Sequence, residues 1–127
     1  MTDRPARFVV AVVDDDQSIL CSLEYLLDSA DYTVQLFHSA AELLASGDLD
    51  RIDCLISDID MPGTDGFELL RLVHAARPKM PTILITGYPE RLERVSSGET
   101  NPRVFTKPFK ADELLSAVSD GVRNLPS

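Results

Sequence analysis

The chain of 127 residues has only two cysteines, Cys21 and Cys54. Both fall inside apolar segments, so a disulfide framework is not expected; small, reduced, buried side chains are, as in a cytoplasmic protein. Basic residues are also scarce, 12 Lys and Arg against 21 Asp and Glu, for a net charge of -9. They are scattered rather than gathered into a stripe, which argues against direct contact with nucleic acid. No apolar run approaches membrane-spanning length, and Met1 to Arg7 leads into no signal-type core with a small-residue cleavage site. Membrane insertion and secretion are therefore not expected. Low-complexity segments and fixed-period repeats are missing too. No glycine-rich loop follows the first apolar run, which excludes Walker-type and dinucleotide-binding fingerprints.

What is present suits one domain, residues 1–127 with a core from about 8 to 124, at an ordinary globular balance of 44% apolar and 26% charged residues. Phe8 to Val13, Cys54 to Ile56 and Thr82 to Ile85 are short, rich in Val and Ile, and do not alternate with polar residues, the pattern of strands buried on both faces. Thr33 to Phe37 alternates more and Val104 to Thr106 is brief, so both are expected nearer the sheet edges.

Helix-period segments run between them. The first carries Ile19, Leu20, Leu23, Leu26 and Leu27 after the polar start Asp16, Gln17, Ser18. The second opens on a capping box, with Ser39 as cap and Glu42 reaching back to its backbone N–H, and stops at Gly47. A third carries Leu69, Leu70, Val73 and Ala76 and ends near Arg77, because Pro78 cannot continue it. Pro89 to Gly98 is a weak fourth, with little more than Leu92 and Val95 as an apolar face. The last places Ala111, Leu114, Leu115, Val118 and Val122 on one stripe, with Asp112 and Glu113 at its positive N-terminal end. Five alternations of strand and helix predict an α/β fold, a doubly wound parallel sheet with helices on both faces.

In such sheets ligands bind beyond the carboxyl ends of the strands. There the sequence places Asp14, Asp15 and Asp16 after the first strand, Asp58 with Asp60 after the third, Thr86 after the fourth and Lys107 after the fifth. Carboxylates gathered in this way repel unless a cation or protons neutralise them, and all-oxygen donors suit a hard divalent metal such as magnesium. With the metal in place, Asp58 can attack phosphorus without a general base, while Lys107 and Thr86 help to neutralise the developing charge. His38 and His74 stand singly, without a metal-spaced partner, and are expected on helix or loop surfaces. Met61-Pro62-Gly63 reads as a turn shaping the loop after Asp58.

From Val9 to about Val122 the chain resembles the response-regulator receiver family. The resemblance lies in VVDDD at the first strand end, DIDMPGTDG from Asp58 to Gly66, ITG at Ile85 to Gly87 and KPF at Lys107 to Phe109. It implies a flavodoxin-like strand order 2-1-3-4-5, with Asp58 as phosphoacceptor and a Mg2+ ion held by Asp58, by Asp15 directly, by Asp14 through water and by the Asp60 backbone carbonyl. Thr86 would hydrogen-bond the phosphoryl group, Lys107 would pair with it, and the Lys107–Pro108 peptide would be cis, at the modest cost proline allows. Implied partners are a sensor histidine kinase or phosphotransfer protein, a downstream target protein and, in some members, a second copy of the domain. The chain would accept a phosphoryl group rather than act as an enzyme, beyond catalysing its own dephosphorylation. Only Leu125-Pro126-Ser127 follow the last apolar stripe, so output through binding to another protein is expected.

The sequence departs from the family in places. Val104 stands where an aromatic residue is common, with Phe105 one position later. Glu99-Thr100-Asn101-Pro102 replaces a usual Gly-Ala pair, and the interval from Thr86 to Lys107 is about one residue short. Asp60 and Tyr88 occupy the two positions, after the phosphoacceptor and after the threonine, that in this family flank the path of water, so the resemblance implies that they tune phosphate lifetime. Two other readings compete: a phosphorylation-independent interaction module with this fold, and a phosphatase of the haloacid-dehalogenase type, suggested by the D-x-D of Asp58-Ile59-Asp60. The second is disfavoured because 127 residues leave little room for a cap and the nucleophile is not on the first strand.

Overall fold

Five short apolar runs pair side by side into one parallel sheet: β1 (Val9–Val13), β2 (Thr33–Phe37), β3 (Cys54–Asp58), β4 (Thr82–Thr86) and β5 (Arg103–Thr106), in the order β2-β1-β3-β4-β5. The computed structural model describes residues 8–88 and 103–123. The weak helical segment Pro89 to Gly98, the Glu99 to Pro102 departure, Met1 to Arg7 and Leu125 to Ser127 lie outside those residues. β3 and β4 are buried along their whole length and run on to Asp58 and Thr86, one or two residues past the expected ends. β2 and β5 take the edges, as their thinner apolar patterns predict.

Alternation along each strand divides the core into two layers. Val10, Val12, Cys54, Ile56, Ile83 and Ile85 face α1 (Gln17–Ser29) and α4 (Ala111–Arg123), against Leu20, Leu23, Leu27, Leu114 and Val118. Ala11, Val13, Phe37 and Leu55 face α2 (Ala40–Ser46) and α3 (Gly66–Ala76), against Leu43, Leu69 and Val73. Ile59, Leu70 and Leu84 extend that second layer toward β5. Phe105 packs in the first layer and Val104 in the second, so the aromatic ring beside the Val104 position lies on the opposite face of the sheet.

Three helices, α1, α2 and α3, start where a side chain satisfies a free backbone donor. Asp16 accepts from the Ser18 N–H, Ser39 from the Glu42 N–H and Asp65 from the Glu68 N–H. Gly47 closes α2 at φ 74°, a left-handed conformation that costs a glycine little.

Several expectations need correction. Glu42 reaches back to the His38 N–H at 2.8 Å, one residue before the cap, rather than to that of Ser39. Cys54 is buried, which pushes its thiol up to about 12, but Cys21 is exposed. It stands one turn after Gln17, on the solvent side of α1, while Leu20 and Leu23 take the inward side. His38 is exposed as expected; His74 is half-buried, its Nε2–H donating to the Met80 carbonyl oxygen at 3.0 Å across the α3–β4 connection. Ala76 and Ala111, at helix ends, stay exposed.

Candidate functional site at the carboxyl edge of the sheet

Strand order reverses between β1 and β3, because β1 leads through α1 to β2 on one side while β2 leads back across β1 to β3 on the other. At that point the chains leaving the two strands diverge and leave a crevice. Asp14 follows the end of β1 and Asp58 is the last residue of β3, at 2% and 4% exposure. A cavity of about 390 Å3 opens above them, lined also by Asp15, Asp60, Tyr88 and Lys107.

The electrostatics follow from burial. Asp58 is pushed up to about 6, first by desolvation and then by the Asp14 charge, with Lys107 opposing. Desolvation also raises Asp14, although the Asp16 N–H donates to its Oδ1 at 2.9 Å and Lys107 lies nearby. Lys107 Nζ stands 3.4 Å from Asp58 Oδ1 and 3.6 Å from Asp14 Oδ2. Burial works against its ammonium, but the two carboxylates outweigh burial and raise its pKa.

Among the described residues, Asp14, Asp15 and Asp58 form a group able to hold a metal ion, each offering a carboxylate oxygen within 4.8 Å of the others. Such an oxygen-only set, with two of its members held above their ordinary pKa by burial and mutual repulsion, suits a hard divalent cation.

Thr86 closes the site from below. It is fully buried, its hydroxyl donates to Asp60 Oδ2 at 2.8 Å, and it accepts from the Tyr88 N–H at 2.9 Å. The Lys107–Pro108 peptide is cis. The sequence therefore named residues that the fold does bring together: Asp14, Asp15, Asp58, Asp60 and Lys107 on one cavity, with Thr86 bonded to Asp60.

Two features went unread. The Asp60 side chain, two residues past β3, engages Thr86, the last residue of the adjacent β4, a contact that no local pattern announces. Gly66, first residue of α3, sits so close to β3 that a Cβ there would lie 2.6 Å from the Asp58 carbonyl oxygen and 2.8 Å from Ile59 Cα. Its place in the run Asp58 to Gly66 was the available signal.

A doubly wound sheet with a buried aspartate at its switch point, flanked by further carboxylates and a lysine, defines a receiver-type phosphoacceptor class. The family model of the response regulator receiver domain matches residues 10–119. Over 117 residues the chain is 34% identical to the transcriptional regulatory protein FixJ of Bradyrhizobium diazoefficiens, covering 90% of this chain and 56% of that one. It is 37% identical over 111 residues to the C4-dicarboxylate transport transcriptional regulatory protein DctD of Rhizobium meliloti, covering 85% and 24%. A response regulator receiver protein from Sinorhizobium medicae superposes with a TM-score of 0.82 at 30% identity, covering 93% of this chain and 96% of that structure. The chain belongs to the response regulator receiver domain family of two-component signalling. It spans about half the length of FixJ and a quarter of DctD. Among the described residues, no helix is long and apolar enough to cross a membrane.

Proposed function

We propose that residues 1–127 form one cytoplasmic receiver domain that takes a phosphoryl group onto Asp58 in a magnesium-dependent reaction. The observation that carries this reading is the position of Asp58: buried at the switch point, beside a metal-competent carboxylate pair and 3.4 Å from Lys107. An Asp58 carboxylate oxygen attacks phosphorus of a phosphohistidine on a kinase or phosphotransfer protein. The new O–P bond forms as the P–N bond breaks, and the imidazole leaves with that electron pair and takes up a proton from solvent. The nucleophile needs no general base, because it reacts as the ionised carboxylate.

Asp15 and Asp58 would hold Mg2+ directly, Asp14 through water and Asp60 through its backbone carbonyl. When bound, the ion neutralises phosphoryl oxygens and keeps Asp58 ionised. Lys107, already paired with Asp58 and Asp14, follows the negative charge onto the phosphoryl group. Thr86 donates its hydroxyl to a phosphoryl oxygen. The rearranged Thr86 and Lys107 then alter the surface around β5, α4 and the expected fourth helical segment, Pro89 to Gly98, which lies outside the described residues, and a downstream protein or a second copy of the domain reads that surface. The same site returns the phosphoryl group to water.

Borohydride reduction of the phosphorylated chain, followed by peptide mapping, tests the assignment. Reduction of an acyl phosphate converts the aspartate to homoserine, expected at position 58. Homoserine at another aspartate would contradict it.

A further inference from the structure

A threonine hydroxyl carries one proton and can donate it to one strong acceptor at a time. The Thr86 proton is directed to Asp60 Oδ2 at 2.8 Å, with the Tyr88 carbonyl a longer alternative at 3.3 Å. The Tyr88 N–H occupies the oxygen's accepting side at 2.9 Å, which restricts how the hydroxyl can turn. Asp60 is no loose neighbour. The preceding Ile59 is 1% exposed, and its N–H donates to the Ile85 carbonyl at 2.8 Å, so the segment carrying Asp60 is registered against the end of β4 that carries Thr86. A carboxylate is also a stronger acceptor than a neutral oxygen.

We propose that the Asp60 side chain is a positioning residue that latches Thr86, competing with the phosphoryl group for the single hydroxyl proton and so opposing the activated arrangement. The proposal rests on the phosphoacceptor reading of Asp58. Phosphorylation must break the Thr86–Asp60 hydrogen bond before Thr86 can donate to a phosphoryl oxygen. Breaking it also uncouples the loop after β3 from the loop after β4, where Tyr88 stands half exposed at 54%. A shift in Thr86 would thus be passed to Tyr88 through the bond between its hydroxyl and the Tyr88 N–H.

The Asp60 charge also reaches Asp58 directly, so the test has to separate the latch from simple repulsion. Beryllofluoride with Mg2+, which forms a stable mimic of a phosphoryl group on a carboxylate, is titrated into the full wild-type chain, Asp60→Ala, Thr86→Val and the double variant, followed by amide NMR. Asp60→Ala should tighten apparent binding about tenfold or more in the wild-type background, from the loss of one charge-assisted hydrogen bond. In the Thr86→Val background the same change should alter binding by less than about twofold, the ordinary limit of additivity. Equal tightening in both backgrounds would overturn the latch in favour of repulsion, and no tightening in either would overturn it outright. Asp60→Asn, which keeps the shape but loses the charge, should move binding the same way by a smaller factor, and stands in if Asp60→Ala fails to fold. If neither wild type nor any variant forms an adduct, the phosphoacceptor reading fails and the latch falls with it, an outcome distinct from the other two.

Discussion

Lys107 Nζ lies 3.4 Å from Asp58 Oδ1, an ion pair between the residue that follows β5 and the last residue of β3. One strand, β4, separates those ends. The pair therefore exists only because the sheet is complete, and it joins the chemistry of the site to the integrity of the fold. The same ammonium faces Asp14 at 3.6 Å, so one cation opposes the burial that raises the pKa of both carboxylates.

Removal of that cation has a direct consequence. Lys107→Met keeps much of the stem and deletes the charge, leaving Asp14 and Asp58 facing each other. Without added metal at pH 7 the variant should lose about 1–3 kcal/mol in urea unfolding, less than a fully buried pair because Lys107 is partly exposed. Unchanged stability would mean that the pair contributes nothing.

The raised Asp58 pKa fixes the direction of a pH effect. Its folded value of about 6 lies above the ordinary 3.8, so between those values the folded state holds a proton that the unfolded state has released. The stability this contributes is fully present below pH 4 and lost as pH rises through 6. Asp58→Asn should accordingly stabilise the metal-free protein at pH 7 by about 3 kcal/mol, the equivalent of the roughly two-unit shift. That gain should vanish near pH 4 and shrink when Mg2+ is added to the wild type. Urea unfolding across pH 4 to 8 measures it, and a constant difference between the two proteins would contradict the assignment.

Gly66 couples α3 to the strand that ends at Asp58. A Cβ would sit 2.6 Å from the Asp58 carbonyl oxygen, which is backbone and cannot swing aside. Gly66→Ala should cost about 1–3 kcal/mol and slow phosphorylation as well, because the displaced group belongs to the residue proposed to react. Calorimetry and adduct formation rates report the two effects.

Arg77 provides the contrast. Its guanidinium donates to the Leu49 carbonyl at 2.8 Å and to the Ile52 carbonyl, tying the end of α3 to the 3-10 turn Leu49–Arg51 before β3. The carboxyl edge of the sheet takes no part in these contacts. Arg77→Met should destabilise by about 1–3 kcal/mol through loss of the guanidinium's bonds to these two carbonyls and leave adduct formation at saturating donor unaltered.

The sequence announced most of this fold because the buried strands are short runs rich in Val, Ile and Leu and three of the helices carry their own cap or stop, such as Ser39 and Gly47. It announced the site because Asp14, Asp15, Asp58, Thr86 and Lys107 each fall at a strand end, and a parallel sheet collects such ends on one edge. Contacts set by three-dimensional register were not legible. The Thr86–Asp60 bond depends on how the chain continues past β3 and β4, and the exposure of Cys21 depends on the rotation of α1, which an apolar neighbourhood in sequence does not reveal.

The central claim is a phosphoryl group on Asp58. Intact mass of the wild type and of Asp58→Asn, after incubation with a small-molecule phosphodonor with and without Mg2+, tests it most directly. One phosphoryl adduct on the wild type, dependent on Mg2+ and missing from Asp58→Asn, is the predicted result. A folded wild type that gains no mass, or an Asp58→Asn chain that gains as much, would contradict it.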